Sequence, residues 1–163
     1  MTETTTISTS TPVAYILVGV PGVGKTTWTQ SQTLVNPYAY LSTDLYIEQY
    51  AEEAGKDYAV IFKLRMPDAI ESMVNDAITA RNNKQNVIWD QTSTTKESRA
   101  RKLDMLPGYR KIAVVFRTPD REELDRRLAS RPNKLIPKYV VDNMINFWEE
   151  PSLEEGFDEI ILV

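Results

Sequence analysis

The sequence contains no cysteine and no histidine. The first absence excludes disulfides, thiolate metal sites and a cysteine nucleophile. The second removes imidazole as a general base and as a metal ligand. Any chemistry must come from carboxylates, lysine, arginine, hydroxyls, backbone N–H groups or an added ion. No run approaches the roughly 20 apolar residues that a membrane-spanning helix needs. The longest non-polar run, Val13 to Gly24, is interrupted by three glycines and a proline. Positive charge is not in excess either, because 19 basic residues face 23 acidic ones, a net of −4. That balance argues against coating nucleic acid through overall charge, while leaving room to grip a few phosphates locally.

What is present fits one globular domain. The chain has 163 residues, 42% hydrophobic and 26% charged, enough for one sizeable core and unlike a disordered chain. Residues 1–12 are rich in threonine and serine and lack the basic start and apolar core of a signal peptide. They read as a disordered tail before a domain at 13–163, and the protein as cytoplasmic, with no membrane partner and no inferable protein partner.

Apolar runs alternate with helical text. Val13–Val18, Tyr38–Leu41, Asn86–Trp89, Ile112–Phe116 and Phe157–Val163 read as strands. Helices are expected from Lys25 to about Leu34, ended by Asn36-Pro37, and from Ser42-Thr43-Asp44 to about Glu53, ended by Gly55. From Pro67 onward, Ala69, Ile70, Met73, Val74, Ala77 and Ile78 mark an amphipathic helix. Thr94 with Glu97 has capping-box spacing. Thr118-Pro119 reads as a cap and first helical residue for a helix to about Arg131, and a last helix spans Lys138 to Trp148. This alternation implies an α/β fold with a five-stranded, mainly parallel sheet in a three-layer arrangement and a small helical lid around 126–137.

Gly19-Val20-Pro21-Gly22-Val23-Gly24-Lys25-Thr26 fits the pattern G-x-x-x-x-G-K-[ST]. Glycines let backbone N–H groups curl around phosphate oxygens, and the helix start adds partial positive charge. Lys25 reaches the β- and γ-phosphates, and the Thr26 hydroxyl suits Mg²⁺. A chance match occurs in about 1% of chains of this length, and the strand before and helix after make it rarer still. Gly22, Val23, Gly24, Lys25, Thr26 and Thr27 are thus the expected nucleotide cradle. The [NT]-K-x-D guanine motif is missing, since Asn133-Lys134-Leu135-Ile136 lacks the aspartate. A motor or AAA machine is normally longer. A compact chain with an arginine-bearing segment in its last third reads as a small phosphotransferase.

Asp44 follows the second strand, where an acceptor hydroxyl would lie, and reads either as a general base or as a plain helix cap. Asp90 ends the third strand and reads either as a Mg²⁺-supporting carboxylate or as a turn residue. Arg127 and Arg131, four apart, would share a helix face and close over the phosphates, unless they form a solvated face paired with Glu123. Lys96, Arg99, Arg101 and Lys102 read equally as a basic rim for an anionic acceptor or as surface charge. Trp28 and Trp89 read as core.

These features together resemble the kinase domain of phage polynucleotide kinase. The resemblance rests on Lys25-Thr26-Thr27-Trp28, Asn36-Pro37, Ser42-Thr43-Asp44 with Tyr46, Val87-Ile88-Trp89-Asp90 and the Arg127…Arg131…Pro137 spacing. It covers Val13 to about Trp148 and implies ATP- and Mg²⁺-dependent transfer of the γ-phosphate to a hydroxyl, typically the 5′-OH of DNA or RNA. By position it makes Lys25 and Thr26 phosphate and Mg²⁺ ligands, Asp44 the base, Asp90 a support for site and metal, and Arg131, backed by Arg127, the lid arginine. The family's acceptor-phosphate arginine, three residues past the base, is Ile47 here. The phage enzyme's phosphatase domain is not expected. Other readings are a kinase of a hydroxymethylated base in phage DNA, a nucleotide or small-metabolite kinase, and a binding module in which ATP only orders the lid.

Overall fold

The computed structural model describes residues 11–32, 37–131, 134 and 136–163. The tail expected over residues 1–12 therefore falls almost wholly outside the described residues, as does the Asn36 half of the Asn36-Pro37 helix stop.

Five strands form one sheet in the order β2-β3-β1-β4-β5. They are β1 (Val13–Val18), β2 (Tyr38–Leu41), β3 (Asn86–Trp89), β4 (Arg110–Val115) and β5 (Glu159–Leu162). Every pairing is parallel, with Ile16 opposite Trp89 on one side and Val18 opposite Val115 on the other. Central β1 is apolar on both faces because helices cover both, which is why its text runs without polar alternation. On one face Ile16, Val18, Trp89, Met73 and Leu106 pack together, and on the other Leu17, Ile88, Val114 and Phe116.

Six α-helices are described: α1 (Lys25–Ser31), α2 (Thr43–Ala54), α3 (Tyr58–Asn82), α4 (Lys96–Asp104), α5 (Arg121–Ala129) and α6 (Lys138–Asn146). The largest departure from expectation is α3, which begins nine residues before Pro67 and carries that proline inside it. An internal proline removes one helical hydrogen bond at a cost of roughly 3 kcal/mol. Burial offsets it here, since Ile61 and Ala69 on either side of Pro67 pack against the wholly buried Ile47 of α2. Caps differ in smaller ways. The α4 cap is Thr95, whose hydroxyl accepts from the Ser98 N–H, rather than Thr94. The α5 cap is Asp120, accepting from the Glu123 N–H, rather than Thr118, because a carboxylate at that end also meets the positive helix terminus. α5 stops at Ala129, so Arg131 lies beyond it and shares no helix face with Arg127.

Of the basic residues after β3, read equally as a rim or as surface charge, Arg99 and Lys102 are neither. Arg99 is completely buried. Its guanidinium donates to both Glu155 carboxylate oxygens at 2.8 and 3.2 Å, and to the carbonyls of Ser93 and Glu149 at 2.9 Å each. It thus ties the post-β3 loop to the segment leading into β5. Lys102 is buried as well, its pKa lowered to about 8 by desolvation, while Arg101 pairs with Glu97 on the same helix. No helix among the described residues is long and apolar enough to cross a membrane.

Removing one partner of a buried ion pair strands the other charge. Arg99→Ala should therefore lower unfolding stability by about 3–5 kcal/mol. A urea midpoint equal to the parent's would show the buried pair to be dispensable.

Candidate functional site

The site lies at the carboxyl ends of β1, β2 and β3, where side chains and loops from neighbouring strands converge. The loop after β1 runs from Gly19 to Gly24. The Gly19 N–H donates to the Thr92 carbonyl at 2.9 Å, pinning this loop to the one after β3. A Cβ at Gly19 would meet Val23 Cγ2 at 2.8 Å and Phe116 Cβ at 3.0 Å, so only glycine allows that approach. Gly24 caps α1 with a φ of 102°, a left-handed conformation costly for any other residue. Its peptide turns the chain into α1, whose first N–H groups and positive end face the loop. Thr26 and Thr27 sit exposed in that first turn.

Lys25 folds back over the loop and donates to the Gly19 carbonyl at 2.6 Å. Burial lowers its pKa to about 8, with Asp90 and Asp44 resisting that shift and Arg131 adding to it. Three other predicted site residues, Asp44, Asp90 and Arg131, thus lie within Coulombic reach of Lys25. Asp90 follows β3, its N–H bonded to the Leu41 carbonyl at 2.8 Å and its carboxylate accepting from the Tyr40 hydroxyl at 2.5 Å. Burial raises its pKa, against the pull of Tyr40 and Lys25.

Asp44 is the second residue of α2, but Ser42 is the N-cap residue, and neither side chain caps the helix. Its half-exposed carboxylate instead accepts from the Tyr58 hydroxyl at the start of α3 through Oδ1, and its Oδ2 lies 3.9 Å from Lys134 Nζ. Arg127 goes a different way. Together with Arg126 it is held by Glu123, whose pKa those two guanidiniums lower to about 2. Of the two expected phosphate arginines, only Arg131 lies within Coulombic reach of Lys25.

Among the described residues no group of three or more acidic side chains forms a metal cage. Magnesium does not require one, since it keeps waters and uses one or two protein oxygens beside phosphates. The half-buried Asp90 carboxylate and the exposed Thr26 hydroxyl at the cradle are a donor set of that kind.

Sequence reasoning missed three features. Tyr58 and Lys134 lie 14 and 90 residues beyond Asp44 and carry no local motif. The third is a cavity of about 390 Å³ at the carboxyl ends of β4 and β5, lined by Phe116, Arg117, Thr118, Ile145, Trp148 and Leu162 among others. Phe116 also borders Gly19, so this cavity adjoins the cradle.

The model of the AAA_33 family, described as an AAA domain, matches residues 15–151. The bifunctional polynucleotide phosphatase/kinase of Schizosaccharomyces pombe is 24% identical over 150 residues, covering 89% of this chain and 32% of that protein. The chain thus spans about a third of the length of that curated relative. Among solved structures, the Pnkp1/Rnl/Hen1 RNA repair complex aligns with a TM-score of 0.64 at 22% identity, over 83% of this chain and 43% of the other. A gluconokinase from Sinorhizobium meliloti 1021 aligns with a TM-score of 0.56 at 14% identity, over 93% of this chain and 82% of the other. At these identities the structural likenesses establish a shared fold.

An anion seated beside Lys25 raises its pKa back toward that of a free lysine. Binding a nucleoside triphosphate should therefore take up a proton just above pH 8, little below pH 7, and weaken as pH rises through about 8. Calorimetry at pH 8.5 in buffers of different ionisation heat measures the uptake. A binding heat independent of buffer would contradict the lowered pKa.

Proposed function

We propose that this chain, which belongs to the AAA_33 family, is a nucleotide-binding P-loop kinase that transfers the γ-phosphate of ATP to a hydroxyl, the favoured acceptor being the 5′-OH of a polynucleotide. The observation that carries this reading is the half-exposed Asp44 carboxylate held by Tyr58 within Coulombic reach of the lysine of the phosphate cradle. The name of the fission-yeast relative supports the polynucleotide acceptor.

The γ-phosphate lies over the N–H groups of Gly22, Val23 and Gly24 and the α1 terminus, with Lys25 bridging β- and γ-oxygens. Thr26 and Asp90 would hold Mg²⁺, which neutralises charge shared between those phosphates. The acceptor hydroxyl enters on the β2 side. Its oxygen bonds to the γ-phosphorus as the bond to the bridging β-oxygen breaks, and its proton passes to Asp44 Oδ2, since Tyr58 occupies Oδ1. The leaving ADP takes the electrons of the broken bond. Arg131, within Coulombic reach of Lys25, lowers the energy of charge spread over the moving phosphoryl group.

The cavity beyond β4 suits the purine. Trp148 offers a face for stacking, and Thr118 and Arg117 offer polar edges. A second reading, a small polyol or metabolite as acceptor, draws on the chain's net charge of −4, which does not favour a polyanion.

Incubation with γ-labelled ATP and separate acceptor pools of 5′-OH oligonucleotides, hydroxymethylated DNA, nucleotides and sugars distinguishes these readings. Lys25→Ala should abolish transfer. Asp44→Asn should keep ATP binding and lose roughly 10²–10⁴ in turnover; turnover like the parent's would remove Asp44 as the base. Arg131→Ala should lose up to roughly 10³-fold. Trp148→Ala should weaken ATP binding by about tenfold, within the range measured for base–aromatic stacking, and leave inorganic triphosphate binding unchanged. Equal losses for both ligands would place the base elsewhere.

A further inference from the structure

The helix that carries Asp44 has no lysine or arginine anywhere in its sequence, TDLYIEQYAEEA. Ile47, one turn on from Asp44, is wholly buried and faces α3. No cation from α2 can therefore greet an acceptor that carries phosphate beside its hydroxyl. One comes instead from the connection between α5 and α6. Lys134 Nζ lies 3.9 Å from Asp44 Oδ2, the oxygen Tyr58 leaves free. It pairs with Glu48, one turn along α2 from Asp44, and sits 5.7 Å from the centre of the Tyr58 ring. Its side chain is 22% exposed, so the ammonium is fixed by neighbours yet open on one side.

We propose that Lys134 is a specificity-determining residue that binds an acceptor phosphate adjoining the reacting hydroxyl, as the 3′-phosphate of a 5′-terminal nucleoside does. The inference rests on the kinase reading above. An ammonium has three donors and no acceptor, so Lys134 can keep Glu48 and still offer a proton to a phosphate oxygen. Glu48 then acts as a positioning residue that stops the flexible lysine stem from swinging into solvent. Arg131 and Lys134, three residues apart, thus serve different groups: Arg131 lies within Coulombic reach of the cradle lysine, and Lys134 lies beside the base. Four acidic groups surround the site or line the adjoining groove, namely Asp44, Glu48, Glu52 and Asp57, with Lys56 the other cation along that groove. In that setting the ammonium nearest the base selects an acceptor with one phosphate at a set distance from the hydroxyl.

The test is a binding titration of the full chain, saturated with ADP, using thymidine 3′-phosphate and thymidine as probes. The parent should prefer the phosphorylated probe by about tenfold or more, Lys134→Gln should lose the preference, and Lys134→Arg should retain most of it. ADP affinity and the thermal midpoint should be the same in all three proteins. A parent with no preference, or a preference undiminished in Lys134→Gln, would overturn the assignment. Transfer from labelled ATP to a 5′-OH oligonucleotide is read in parallel. A phosphate preference that depends on Lys134, without such transfer, would remove the polynucleotide acceptor and leave the assignment of Lys134 standing. Transfer without the preference would do the reverse.

Discussion

An ammonium group drawn out of water and aimed at the inner curve of a glycine loop is the constraint on which the site turns. Lys25 bonds to the carbonyl of Gly19, and burial lowers its pKa to about 8. Such a group is costly to desolvate without an anion nearby. The fold meets that cost in part by setting the carboxylates of Asp90 and Asp44 within Coulombic reach. Asp90 in turn rises in pKa because it is buried, and Tyr40 holds it in place. The ionisation of Lys25 and Asp90 is therefore set by burial and by neighbours in space rather than by local sequence.

That proximity depends on strand order. β1 lies between β3 and β4, so the loop it feeds is flanked by Asp90 on one side and Phe116 on the other. Asp44 reaches the same edge because β2 is only one strand further out. The α2–α3 pair then brings Tyr58 back over Asp44, and the connection after α5 brings Arg131 and Lys134 across from the opposite end of the chain. Donor and acceptor sides are thus served by different segments meeting at one edge.

Remote from the chemistry, Arg99 does for the scaffold what Lys25 does for the site. Four of its five N–H donors go to a carboxylate and two carbonyls, so its charge is buried but not unpaired. It fixes the loop that follows Asp90, the same loop whose Thr92 carbonyl receives the Gly19 N–H. A stable position for the phosphate loop therefore traces back to an ion pair with Glu155, near the last strand.

By itself the sequence determined the features that depend on neighbouring residues. The glycine loop, the apolar text of β1 and β3, and the alternation of strand and helix all follow from local conformational preference and burial on both faces. The stop of α2 at Gly55 and the start of α6 at Lys138 were equally local. Tertiary structure decided the rest. Pro67 stands inside α3 because packing around Ile61 and Ala69 outweighs one lost hydrogen bond. Arg99 and Lys102 are interior rather than a rim, Arg127 is taken by Glu123, and Arg131 stands past the end of its helix. Tyr58 and Lys134 became visible only once distant segments were folded together. A charged side chain reads the same on paper whether it faces water, a partner or a substrate, and only three-dimensional neighbours settle which.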